Sequence, residues 1–460
     1  MKTKKIVPAI MALIMIFVLA VPVSAQLGDT DVSSITIQNV SSVNATVTVT
    51  FVSESGFVYT PTQLDNLTPT AFPNPFTLVP NQSRQIYVPN VPAAQLPTGR
   101  YSVVISSTEQ VVAVAGVAGM GTRRFSGSYS GFSAGASQVY LPSTAFNYFG
   151  WYSMISIQNL GSAPANVTVT ITCSTGLVGT LQVSGVPEMA SHTFALKNTT
   201  PTGFTGATVC NGSALVTSTN SQPIAAVDSM SKPSTGSTNT FEASAVGFQK
   251  LYVPSLSTAF FGWNSSLTIR KLVSGSTTVT IDYSDAEPND TCNLTNATPA
   301  CQLYLPTHHP SPGLYGATIT SSPANQLLAV VGTTKDTLSG AYKGFGSGSG
   351  VVKVPEVTKY YFNWITSVTC QNVSSTATTL NFSYQGFPAY NHPETLTEGE
   401  AIQVFVPNEA FLPVGYQGGL TVSANAAGAE IACIVSHNNP SNLSITSGDW
   451  ATYYNAFNQE

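Results

Sequence analysis

Val139-Tyr140-Leu141-Pro142, then Trp151, then Ile155-Ser156-Ile157-Gln158-Asn159 make up a cassette that the chain uses again. It recurs as Leu251-Tyr252-Val253-Pro254, Trp263 and Leu267-Thr268-Ile269-Arg270-Lys271. A third copy is Val352-Lys353-Val354-Pro355, Trp364 and Val368-Thr369-Cys370-Gln371-Asn372. Each Trp follows its Pro by nine residues, and each strand-like run ends eight residues after the Trp. A fourth copy of the run, Ile35-Thr36-Ile37-Gln38-Asn39, stands near the N-terminus. Fixed spacing of this kind marks an internal repeat, here of roughly 110 residues.

The later part of each unit repeats as well. A Pro/Gly turn leading to an aromatic appears as Pro97-Thr98-Gly99-Arg100-Tyr101, Pro201-Thr202-Gly203-Phe204, Pro312-Gly313-Leu314-Tyr315 and Pro413-Val414-Gly415-Tyr416. Apolar runs follow at 111–115, 224–227, 327–331 and 431–435. Ala45-Thr46-Val47-Thr48-Val49-Thr50-Phe51 alternates apolar and hydroxyl residues, as do 166–172 and 277–283. Period-two alternation buries one face of a strand and wets the other. No amphipathic helix of convincing length is present. The fold class is therefore all-β: four tandem immunoglobulin-like β-sandwich repeats, each of about seven short strands. The units are 26–137, 138–249, 250–350 and 351–460, after a signal peptide at 1–25. Pro142, Trp151, Pro254, Trp263, Pro355 and Trp364 read as repeat-core residues. Short Gly/Ser linkers predict a stiff rod of four beads.

The first 25 residues read as an export signal. Lys2, Lys4 and Lys5 precede an apolar stretch, and Val23-Ser24-Ala25 is a small-residue cleavage site, so the mature chain is expected to begin at Gln26. No later run reaches the roughly 18 apolar residues of a membrane span. In repeat 1, Pro22 falls in the slot of Pro142 and Asp31 in that of Trp151. The strand leading up to the Pro is thus lost on cleavage, whether it belongs to the unit after it or before it. An open sheet edge invites strand addition from another molecule. Ile35 and Ile37 on the N-terminal edge, with Tyr454 and Phe457 near the C-terminus, are the candidate assembly edge.

Charge is scarce. Charged residues are 8% of the chain against roughly 25% in an average domain, and the net charge is −5. No basic footprint for nucleic acid exists. Few ionisable groups also argue against acid–base catalysis, and no cofactor or metal is expected. Gly131-Phe132-Ser133-Ala134-Gly135 matches a hydrolase pattern, but it lies in an inter-repeat stretch. His308-His309 sits in a turn, and His192, His392 and His437 are scattered. Asp282, Asp285, Glu287 and Asp290 form the densest acidic cluster, without the EF-hand spacing.

The six cysteines fall in pairs: Cys173 and Cys210, Cys292 and Cys301, Cys370 and Cys433. One pair per repeat in repeats 2 to 4 favours a disulfide within each repeat. Cys370 and Cys433 suit an inter-sheet bridge. Asn44, Asn166, Asn264, Asn293 and Asn381 head Asn-X-Ser/Thr glycosylation sequons.

The Tyr-Leu-Pro strand, the Trp nine residues on, the Gln-Asn strand end and the Thr/Val alternation together resemble secreted bacterial surface proteins built of tandem immunoglobulin-like β-sandwiches. That resemblance covers the whole mature chain and implies filament, surface-layer or adhesive roles. The expected function is a non-enzymatic extracellular structural protein that self-assembles at the cell surface. The alternative is an adhesin or carbohydrate-binding array, with Tyr148, Phe149, Tyr360 and Tyr361 as its aromatic residues. Expected partners are copies of itself, other surface proteins or glycans, with no nucleic acid and no membrane span after signal removal.

Overall fold

A computed structural model describes residues 14–19, 31–65, 72–119, 125–285, 287–439 and 449–459. The described chain is nearly all antiparallel β-structure. Each repeat packs two sheets face to face. One sheet begins with a leading strand: Ile14–Leu19, Gln138–Phe146, Lys250–Thr258 or Val351–Tyr361. This pairs with a return strand, respectively Tyr101–Ser107, Cys210–Ser218, Gly313–Ser322 and Tyr416–Ala424. The return strand then pairs with the alternating Thr/Val strand. The other sheet centres on the Gln-Asn strands Asp31–Asn39, Met154–Asn159, Asn264–Lys271 and Trp364–Asn372. Each of these is flanked by the late apolar strand, which in turn pairs with a strand that is called the axis strand below. The axis strands are Phe125–Ser130, Ser237–Glu242, Leu338–Lys343 and Ala451–Asn455.

The alternation places its apolar members inside. Val47, Val49 and Phe51, or Val167, Val169 and Ile171, are buried, while the intervening Thr side chains lie nearer the surface. Each fully buried aliphatic contributes about 1.5–3 kcal/mol. The Asn that ends the Gln-Asn strand ties its own unit. Asn159 Nδ2 donates to Ala163 O and Val186 O, and its Oδ1 accepts from Gly161 N. Asn39 and Asn372 repeat this pattern. The aromatic after the Pro/Gly turn closes that turn: Tyr101 Oη donates to Pro97 O and Tyr315 Oη to Ser311 O. Pro142, Pro254 and Pro355 are buried, at bulges in the leading strands, where a missing N–H costs no ladder bond.

The four units form a closed ring, which corrects the expected rod. Each leading strand packs on the Gln-Asn strand of the next repeat, and that of repeat 4 packs on repeat 1. A head-to-tail interface whose rotation closes generates a ring. The axis strands meet at its centre and run parallel in step. Ser126, Ser128 and Ser130 Oγ donate to Ala451, Tyr453 and Asn455 O. Ser237 Oγ donates to Thr337 O, and Ser339 Oγ to Thr238 O. Approach is so close that a Cβ on Gly340 would strike the ring of Tyr453. Tyr129, Phe241, Tyr342 and Tyr454 hold equivalent positions and are fully buried.

Asp228, on the apolar strand of repeat 2, sits wholly inside. Burial pushes its pKa up to about 7, against the opposing effect of the Ser153 hydroxyl, which donates at 2.6 Å. A carboxyl raised above its unfolded value makes the fold bind more protons. Its contribution is full below the unfolded pKa of 3.8 and is lost as pH rises through about 7. Asp228→Asn is expected to be more stable than the parent at pH 8, by up to about 4 kcal/mol, and nearly equal at pH 4. Denaturant midpoints at the two pH values check this; a pH-independent difference would contradict it.

Candidate functional site

The leading strand of repeat 1 is the first functional feature. It lies at Ile14–Leu19, within the segment that reads as an export signal. Ile16 stands opposite Ile105 and Val18 opposite Val103. By the same pairing Ile16 takes the place of Val139, Leu251 and Val352 in the other repeats. The strand therefore enters three residues earlier than the slot inferred from Pro22, which lies outside the described residues. The leading strand pairs within the unit that follows it, so repeat 1 is the one that depends on residues before Gln26. It also packs on Met154–Asn159 of repeat 2, so the slot is a groove at the seam between repeats 1 and 2. Beside it, Val52, Val104 and Ala190 make a small apolar cluster across that seam.

The candidate assembly edge is corrected. Ile35 and Ile37 are fully buried, because their strand is central in its sheet, between Val111–Gly119 and Ser83–Tyr87. Tyr454 is likewise buried on an axis strand, and its Oη donates to Glu356 O. Phe457 is half-buried and paired against Val351–Tyr361. Alternation marks which face is buried but not which strands flank it, and that is why the sequence misplaced the edge.

The three Trp residues are not core either. Trp151, Trp263 and Trp364 are half-buried at the hairpins that follow the leading strands. The tips are Phe149, Phe261 and Phe362, exposed to 75%, 78% and 78%. Both central residues of each turn have positive φ: Phe149 and Gly150, Phe261 and Gly262, Phe362 and Asn363. That pattern suits a type I′ turn and favours Asn or Gly at both places, not Phe. The tips share one end of the ring. Gly150 lies beside Lys232, Gly262 beside Lys335, and Asn439 Nδ2 donates to Phe362 O, all at the ends of the late apolar strands. Tyr148 is half-buried and Tyr360 is 43% exposed, so both remain accessible. Phe→Asn at 149, 261 or 362 is expected to raise stability by about 0.5–1 kcal/mol each. Thermal melts of the three variants check this, and a lowered melting temperature would refute it.

Other sequence signals fall out as follows. The structure holds the disulfides Cys173–Cys210, Cys292–Cys301 and Cys370–Cys433. Cys370 stands directly opposite Cys433 on neighbouring strands, so this bridge lies within one sheet and not between sheets. Cys292–Cys301 is the one that joins the two sheets of its repeat. Residues 131–135 connect two strands, so the strand–turn–helix setting of the hydrolase pattern is missing. The turn histidines and the acidic cluster do come together. His309 Nε2 lies 3.1 Å from the Asp285 carboxylate and His308 Nδ1 3.3 Å from Asp290. His309 is wedged between Tyr283 and Tyr315, where it braces the turn. No metal-binding group is found among the described residues. Asn44 and Asn293 are exposed, whereas Asn166, Asn264 and Asn381 are half-buried. No described helix is long and apolar enough to cross a membrane.

Sequence reasoning missed two features. Asp449 is fully buried where the axis strands begin, and its carboxylate accepts from Thr238 N, Ser339 N, Ser339 Oγ and Ala451 N. A cavity of about 930 Å³ also opens between repeats 4 and 1. Neither carries a local motif, because both assemble residues from different repeats.

No family model and no curated protein matches the chain. Among solved structures, Thermotoga maritima 1070 aligns at 9% identity and a TM-score of 0.19, covering 25% of this chain and 97% of its own. A tetra-tandem repeat from the extending region of a large adhesion protein aligns at 9% identity and a TM-score of 0.12, covering 96% and 97%. The BSP domain of a biofilm-associated protein aligns at 6% identity and a TM-score of 0.15, covering 96% of each chain. With likeness this slight, the assignment of four β-sandwich repeats rests on the chain's own strands and their pairing.

Proposed function

We propose that the protein is a non-enzymatic extracellular component of the cell surface that joins copies of itself, or other surface proteins, by accepting a β-strand. One observation carries this reading: the leading-strand position of repeat 1 is occupied by Ile14–Leu19, inside the segment that reads as an export signal. Cleavage after Ala25 removes that strand. Residues 102–107 then present unpaired N–H and C=O groups beside an incompletely covered core. Strand addition supplies both main-chain hydrogen bonds and side chains for the vacated places. Ring closure has used the lateral faces of all four repeats, and strand acceptance offers a route to growth that leaves the ring intact. Low charge density weakens repulsion between copies.

Electron microscopy of protein beginning at Gln26 tests the reading. Chains of ring-shaped particles are the expected result. Separate rings at high concentration, with the 102–107 amides exchanging slowly, would refute it.

A second reading, an adhesin, is supported by the three Phe tips. Exposed aromatics held in a conformation that costs stability point to a role in contact. Binding to a target surface that survives Ile14–Leu19 removal but fails in the triple Phe→Asn variant would favour it.

A further inference from the structure

The four seams of the ring differ. Between repeats 3 and 4, Trp263 meets the ring of Tyr453 on the next axis strand, with centroids 6.1 Å apart. The position matching Tyr453 on the axis strand of repeat 1 is Ser128, since Tyr129 stands opposite Ala115 as Tyr454 stands opposite Val435. Ser128 is flanked by Gly127, and Trp364 packs on Trp450 of its own repeat, 5.8 Å between centroids. The aromatic supplied by the next repeat at one seam is thus replaced by a small residue at this one. Gly127, Ser128, Trp364 and Trp450 line the cavity of about 930 Å³, within the roughly 300–1,000 Å³ of small-molecule sites.

The lining combines aromatic faces with hydrogen-bonding groups of little net charge. Trp364, Trp450 and Tyr361 supply rings. Glu356 is held by both repeats: it accepts from Thr36 Oγ1 at 2.8 Å, Gln85 Nε2 at 2.8 Å and Gln417 Nε2 at 2.7 Å. Arg84 also lines the cavity, stacked 3.5 Å over the Phe72 ring and opposed by Asp65. His437 lines it at 7% exposure. Its Nδ1 lies 2.9 Å from Thr366 Oγ1, and its Nε2 has no partner among the described residues.

We propose that this seam cavity binds a neutral sugar unit. The Trp364 and Trp450 rings would take the C–H face of a pyranose. Glu356 and the two Gln amides would take its hydroxyls. A purely apolar ligand would leave those polar groups dry and unpaired. An anion would meet the Glu356 carboxylate, and a cation the Arg84 guanidinium. This site is separate from the strand slot, which lies at the seam between repeats 1 and 2, so each proposal can fail alone.

Two of the four Trp residues of the chain line the cavity, so the full-length protein can be titrated by intrinsic fluorescence. The probes are glucose, galactose, mannose, N-acetylglucosamine and their β-linked disaccharides, each to about 20 mM, with a Phe-containing peptide alongside. A saturable change with at least one sugar is expected. Ser128→Tyr, which restores the aromatic found at the neighbouring seam, is expected to abolish it with far-UV circular dichroism unchanged. Trp364→Ala, which removes one of the two rings, is expected to weaken binding about tenfold, and it carries the test if the first variant does not fold. No response to any sugar overturns the proposal. An undiminished response in both variants overturns it too, since binding would lie elsewhere. Response to the peptide alone would overturn it in favour of a protein ligand.

Discussion

Asp449→Ala is expected to cost the folded ring about 3–5 kcal/mol, the range for unpairing a buried polar network. The carboxylate accepts from Thr238 N at 2.8 Å, Ser339 N at 2.9 Å, Ser339 Oγ at 2.7 Å and Ala451 N at 3.1 Å. Its own carbonyl accepts from Ser126 Oγ. One residue thus binds all four repeats where their axis strands begin. Alanine would leave three backbone N–H groups inside the protein with no acceptor. Asn can still accept through one oxygen, so Asp449→Asn is expected to lose about half as much. Burial raises the Asp449 pKa well above its ordinary value, and the donated hydrogen bonds only partly offset this. Part of its stabilisation is therefore lost as pH rises, as for Asp228. Urea midpoints followed by Trp fluorescence measure the effect, since Trp450 is the next residue along. A loss below about 1 kcal/mol would mean that the seams alone hold the ring.

A synthetic peptide spanning residues 12–21 should restore protein beginning at Gln26 to a compact monomer. It would re-form the pairing of Ile14–Leu19 with residues 102–107. Stabilisation follows mass action: about 2.7 kcal/mol at a free peptide concentration 100 times its Kd. Sedimentation should show higher species shrinking as peptide is added, and the melting temperature should climb with peptide concentration. A variant with Lys at positions 16 and 18 should do neither. In the other repeats the matching residues, Val139 and Leu141 or Leu251 and Val253, are buried in the core and accept no charge. If neither assembly state nor melting temperature responds to the peptide, the groove closes over when the strand is gone.

The architecture of one repeat was legible because it is written in local pattern. Alternation in 45–51 tells which side chains go inward. The Pro/Gly turns mark strand ends, and the Asn at 39, 159 and 372 returns wherever a strand must tie to its following turn. The Trp residues were misread because bulk and repetition suggest a core. Only the hairpin geometry shows them at a rim, with Phe149, Phe261 and Phe362 beyond them. The edge residues Ile35 and Ile37 were misread because flanking strands arrive from more than 40 residues away. That the leading strand of repeat 1 comes from before Gln26 was legible in the repeat count, but three residues out of register, because the connection from that strand to Asp31–Asn39 is three residues longer than in the other repeats.

The sequence by itself determined an all-β chain of four repeated units and a shortfall of one leading strand after Gln26. It did so because a strand's inward face and its turns are encoded within a few residues. Only the tertiary structure decided that the units close into a ring. Identical repeats with short linkers are compatible with a rod or a ring, and the choice is made by contacts between residues hundreds of positions apart. Thr36 on Glu356, Ser128 on Tyr453 and Gly340 under Tyr453 make that choice here. The same closure created the Asp449 knot and the seam cavity. The cavity exists only where repeat 4 meets repeat 1 and the knot only where all four axis strands meet, so no motif within a single repeat can announce them.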